Sequence, residues 1–203
     1  MKNTFKIIFI LNFAVINLNA QQIRPLQYLY SENFQITTDF SVLRYYKDVN
    51  NYFTPFIGTW KSQNGNQVFI LTLWKVTQEP YPNSDFPNYY IDGIRGHYKL
   101  IENYGLPNET VIYTSEVNYP NTNTIRNYSL FADVTISNKM SGIIYDVNIF
   151  NPTQYQGLKG FIIMDISNDM LSASWNVSLA EEILSINQVE NFVIPTSLTL
   201  IKQ

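Results

Sequence analysis

Tyr128-Ser129-Leu130-Phe131-Ala132-Asp133-Val134-Thr135-Ile136 is the stretch whose reading decides the fold. Tyr128, Leu130, Ala132, Val134 and Ile136 fall on one parity, and Ser129, Phe131, Asp133 and Thr135 on the other. A period of two sends successive side chains to opposite faces, so the stretch reads as a strand with one buried and one wet face rather than as a helix. The alternation returns at Ile143, Tyr145, Val147 and Ile149 against Gly142, Asp146 and Asn148. It returns again at Leu171, Ala173, Trp175 and Val177 against Ser172, Ser174 and Asn176. Residues 68–76 depart from it: Val68, Ile70, Trp74 and Val76 share a face with Thr72, while Phe69, Leu71 and Leu73 make the opposite face apolar too. That strand is expected to be covered on both sides.

Working outward, segments 56–62, 89–101, 109–117, 158–166 and 197–202 bring the strand candidates to nine, separated by clusters of Asn, Gly, Pro and Ser. Asparagine tolerates left-handed backbone angles and bonds its own main chain, so Asn50-Asn51, Asn64-Gly65-Asn66 and Asn168-Asp169 read as turns between strands. Short connections favour neighbours in space, and the expectation is all-β: an antiparallel up-and-down barrel of about eight or nine strands. A short helix is predicted before the last strand, because Ser178-Leu179-Ala180-Glu181 fits a capping box and Leu179, Ile183 and Ile186 recur at helical spacing. A hairpin loop ending at Pro195 is the alternative.

At the other end of the chain, Lys2 and Lys6 precede an apolar run from Ile7 to Ile16 that closes at Ala20. This is the pattern of a secretory signal peptide over residues 1–20, and it predicts a secreted or periplasmic protein. The run is shorter than the roughly 20 residues that span a bilayer, so no integral membrane insertion is expected once it is removed. Residues 21–55 carry little periodicity and read as a lead-in packing on the barrel of residues 56–203.

Composition narrows the chemistry. The chain has no cysteine and one histidine, which excludes disulfides, thiolate catalysis and multi-histidine metal cages, and an exported chain without cysteine fits a bacterial envelope. Removing residues 1–20 takes two of 13 basic residues and none of 16 acidic ones, leaving 11 against 16, a net of −5. Such a chain is not a nucleic-acid binder, and no metal or cofactor motif is present.

The run Pro55-Phe56-Ile57-Gly58-Thr59-Trp60, leading into the first long strand, resembles the Gly-x-Trp signature of lipocalins and related calycin barrels. The resemblance implies that Trp60 plugs the closed end of a lipocalin-like barrel beside Gly58, with Lys202 as the basic partner from the last strand. The chain is also similar to an uncharacterised family of small secreted proteins from Gram-negative bacteria. That similarity is carried by Tyr45-Tyr46-Lys47-Asp48, by the Gly-x-Trp run and by Leu198-Thr199-Leu200-Ile201-Lys202-Gln203.

The excess of rings, 15 Tyr, 13 Phe and 3 Trp, points to a ring-lined interior. Trp74, Tyr98, Tyr128 and Trp175 are assigned inward and, with Asp92, form the candidate ligand site for a small apolar or aromatic molecule. Asp133, Asp146 and Asp165 are assigned outward and solvated, and His97 lies on a polar face with Arg95 and Lys99. No catalytic residue is assigned. A filled barrel acting as a surface or matrix interaction protein is the second reading, and an enzyme using two converging carboxylates the third.

Overall fold

The computed structural model describes residues 21–31, 43–81, 89–116, 128–149, 157–180 and 191–203. Its strands are β1 (Gln22–Pro25), β2 (Arg44–Lys47), β3 (Gly58–Asn64), β4 (Gln67–Tyr81), β5 (Tyr89–Glu102) and β6 (Thr110–Thr114). They continue with β7 (Leu130–Ile136), β8 (Lys139–Asp146), β9 (Leu158–Ile166), β10 (Ser172–Leu179) and β11 (Ser197–Lys202), and α1 is a single turn at Tyr28–Ser31. Among the described residues eight strands close a ring: β3, β4, β5, β7, β8, β9, β10 and β11, with β11 returning to β3. Every pairing in that ring is antiparallel, so the all-β, up-and-down barrel expected from the alternation is the fold observed.

Local chemistry sets the joints. Gly65, at φ 61°, makes the two-residue turn that pairs Asn64 with Gln67. Along one edge of β5, β2 pairs with Tyr89–Ile91, β7 with Ile94–Gly96 and β6 with Lys99–Glu102, so the lead-in and β6 extend the sheet where the barrel leaves β5 uncovered. β1 and β2 run parallel to each other, and β2 runs parallel to β5.

The inward parity carries Trp60, Phe69, Leu71, Leu73, Ile94, Tyr98, Leu130, Met140, Ile144, Met164, Trp175 and Leu200, each 2% exposed or less. Residues 68–71 are buried on both faces, Val68 and Ile70 forming a small outer cluster with Ile101. β10 instead alternates buried Ala173, Trp175 and Val177 with exposed Ser174, Asn176 and Ser178. Ser178 and Leu179, assigned above to a helix start, pair with Phe161 and Gly160 as the end of β10. The strand thus runs past the capping-box serine, and the remainder of that helix assignment, residues 181–190, lies outside the described residues, as does the signal segment 1–20.

Candidate functional site

The barrel has two unlike ends. At one, the lead-in turn brings Phe53 and Phe56 into the ring with no exposure, above a Trp60 that is also fully buried. The Trp60 indole N–H donates to Phe56 O at 2.7 Å, because the strand starts two residues after Phe56 and turns the indole back beneath the entering chain. Lys202 sits opposite Trp60 in the β3–β11 register, its ammonium 5.3 Å from the ring centroid and donating to Pro55 O at 2.5 Å. Burial lowers the pKa of that ammonium. Gly58 is called for by its φ of 120°, which L side chains rarely adopt, rather than by space: a Cβ there would make only ordinary contact, 3.8 Å from Lys202 Cε.

Asp92 also belongs to this plugged end, on the inward parity and fully buried. It accepts the Tyr45 hydroxyl, the Asp48 N–H at 3.0 Å and the Gln78 N–H at 3.1 Å, while Asp48 accepts Tyr52 N–H at 2.8 Å and Phe53 N–H at 3.3 Å. The Lys75 ammonium bridges the two carboxylates, 3.0 Å from Asp48 and 3.5 Å from Asp92. Burial and then the Asp92 bond raise the Tyr45 pKa well above the ordinary phenol range. A bulge between Val76 and Glu79, with Gln78 at φ 54°, aims the Gln78 N–H at Asp92. Two carboxylates do converge here, but protein donors occupy both. The arrangement clamps the lead-in to β4 and β5 and leaves little acceptor capacity for a substrate or an attacking water.

In the middle, rings meet across the barrel: Trp175 to Phe69 at 6.1 Å, Phe69 to Tyr98 at 6.1 Å and Tyr98 to Tyr113 at 6.2 Å. Trp175 and Tyr98 are inward as assigned from parity, yet their polar tips are used. Trp175 Nε1 donates to Pro195 O at 3.1 Å, and Tyr98 Oη donates to Tyr145 O at 2.8 Å and accepts from Val147 N at 3.0 Å.

Three assignments are corrected. Trp74 faces outward, pairing with Arg95 and lying 5.1 Å from the His97 ring; both faces of β4 are apolar, so parity alone does not choose between them. Tyr128 precedes the strand, which starts at Leu130, and so does not inherit its parity. Its ring lies 4.7 Å from the guanidinium carbon of Arg95, a residue on the outward parity. Asp146 is not solvated but fully buried, because β8 starts at Lys139 after the Ser137-Asn138 turn and turns Met140, Ile144 and Asp146 inward. On the outer side, His97 Nδ1 lies 3.5 Å from Ser115 Oγ, a hydroxyl already accepting the Tyr98 N–H at 2.8 Å.

Asp146 marks the second end. It accepts Val193 N–H at 2.6 Å, Ile194 N–H at 3.0 Å, Asn148 N–H at 3.1 Å and Asn148 Nδ2–H at 3.0 Å, pinning the strap of residues 191–196 to the end of β8. Phe192 from that strap lies over Gly160, where a Cβ would come within 2.7 Å of its ring. Tyr113, opposite Leu100 on β5, turns its ring inward beneath them. Its hydroxyl oxygen is buried and has no hydrogen-bond partner among the described residues. Burial first, and the Asp146 charge second, raise its pKa well above the usual phenol range. Parity does not single out Tyr113, because Val111 on the same parity is exposed and pairs with the outward Ile101 across a register irregularity.

The model of a family of unknown function, DUF6705, matches residues 1–203. The chain belongs to that family. No curated protein and no solved structure matches this DUF6705 chain. Among its described residues, no three His, Cys, Asp or Glu side chains form a group that could hold a metal ion. No helix among them is long and apolar enough to cross a membrane, which leaves strands unaddressed.

Proposed function

We propose that this DUF6705 barrel is a non-catalytic carrier, exported by the segment 1–20, that takes a small, apolar, ring-bearing molecule into the end opposite the Trp60 plug. The asymmetry of the two ends carries this reading. Phe53, Phe56 and Trp60 have no exposure at one end, whereas the inward-facing Leu100, Tyr113 and Leu198 keep partial exposure at the other. The ring column below them limits the depth of the site, so the guest rests on Tyr98 and Trp175 rather than passing between them. Burying about 300 Å² of guest surface is worth about 7 kcal/mol before the costs of association. The lipocalin-like order of plug, barrel and basic last-strand partner agrees with a carrier, and the Ser and Asn side chains outside β10 agree with a barrel surrounded by water.

A second reading is favoured by the ring column itself: a filled barrel that acts through its surface. Titration with the neutral fluorophore N-phenyl-1-naphthylamine separates the two. The carrier reading expects a saturable rise in emission that Leu198→Trp, filling the open end, abolishes while the far-UV spectrum is unchanged. No rise with the wild-type protein would favour the filled barrel.

A further inference from the structure

We infer that the open end of the barrel selects uncharged ring-bearing molecules with one hydroxyl or carbonyl group, Tyr113 supplying the hydrogen bond and Asp146 turning anions away. This rests on the carrier reading above and specifies the chemistry of its guest. The Tyr113 hydroxyl is buried, lies on the inward parity and is unpartnered among the described residues, in contrast to Tyr98, whose hydroxyl serves two main-chain groups. A buried hydroxyl without a partner leaves free energy for a guest to recover, since one donor or acceptor placed there replaces the water lost on burial. The Tyr98 ring lies 6.2 Å from the Tyr113 ring, and Phe192 lies over Gly160 at the Asp146 end of the barrel, so both bring apolar ring surface to that end.

Charge sets the second half of the selection. Asp146 is fully buried, and its four hydrogen bonds come from three main-chain N–H groups and the Asn148 amide, with no cation paired to it among the described residues. Four neutral donors hold a carboxylate without cancelling its charge, so its field persists in the low-dielectric mouth. The lysines nearest this end of the strands, Lys61, Lys99 and Lys159, pair with Ile70, Ile70 and Tyr145 on the outward parity. They offer an anionic guest no counter-ion inside the barrel.

Displacement of bound N-phenyl-1-naphthylamine by three molecules sharing one ring system, naphthalene, 2-naphthol and 2-naphthoate, tests both halves at pH 7. For the wild-type protein, 2-naphthol is expected to compete about five- to tenfold better than naphthalene and at least about tenfold better than 2-naphthoate. In Tyr113→Phe the advantage of 2-naphthol over naphthalene should fall to about twofold or less, while naphthalene itself competes as before. A packing role for the tyrosine would not produce that split. If Tyr113→Phe retains the naphthol advantage, or 2-naphthoate competes as well as 2-naphthol, the assignment of the anchor or of the charge filter is wrong while the carrier reading stands. If the fluorophore does not bind the wild-type protein, both readings fall together.

Discussion

Two tyrosines on the inward parity illustrate how much one hydroxyl decides. Tyr98 Oη ties Tyr145 O and Val147 N, 47 and 49 residues along the chain, so Tyr98→Phe strands two main-chain groups and should cost about 1–3 kcal/mol. Tyr113 Oη ties nothing among the described residues, and Tyr113→Phe should leave stability unchanged or raise it by up to about 1 kcal/mol. Urea denaturation of the two variants side by side checks the contrast, and equal losses would mean that the Tyr113 hydroxyl is satisfied in the folded protein. The same scale governs Lys75, whose ammonium bridges Asp48 and Asp92. Lys75→Met leaves two buried carboxylates facing one another and should destabilise by about 2 kcal/mol or more, somewhat less than for a fully buried pair because Lys75 reaches solvent.

Between elements, the strap of residues 191–196 and β9 are fitted to one another at a single glycine. A side chain at Gly160 would meet Phe192 at 2.7 Å and Val177 at 3.0 Å, so Gly160→Ala should destabilise by about 1–3 kcal/mol. In a Phe192→Ala background the same change should cost at least about 1 kcal/mol less, because the space is then vacant; a double-mutant cycle by chemical denaturation measures that coupling. An additive result would place Phe192 elsewhere in solution. The lead-in is held by hydrogen bonds to two carboxylates as well as by Phe53 and Phe56 packed into the ring, and it pairs with β5 through only three residues of β2.

For the whole molecule, the buried phenols set the alkaline limit. Tyr45, Tyr89 and Tyr113 all have their pKa raised above the ordinary value, with desolvation the largest cause in each. A folded-state pKa above the unfolded one means that the folded protein retains protons the unfolded chain releases. The contribution is therefore complete below about pH 10 and is lost as pH rises through the folded values, by up to about 1.4 kcal/mol per pH unit for each tyrosine. Lys202, with its pKa lowered by burial, works in the opposite sense and regains stability as pH approaches its unfolded value. Among the described residues these three groups against one predict net destabilisation above about pH 10, with the phenolate absorbance of Tyr45, Tyr89 and Tyr113 appearing together with unfolding rather than before it.

Alternation of apolar and polar side chains in residues 94–100, 130–136 and 172–179 determined by itself that the chain is all-β and that Tyr98 and Trp175 point inward, because a period-two pattern with one wet face admits a single orientation. The Gly58-x-Trp60 resemblance, not the alternation, singled out Trp60, Gly58 and Lys202, which lie together in the structure. Where both faces are apolar, as around Trp74, or where a strand starts later or earlier than its pattern, as at Tyr128 and Asp146, parity loses its reference and the orientation passes to the neighbouring strands. The clamp of Asp48, Asp92 and Lys75, the Asp146 anchor and the unpartnered Tyr113 hydroxyl were decided only by tertiary structure. Each depends on which groups from distant parts of the chain meet once the barrel closes, and no local pattern records a partner 47 residues away.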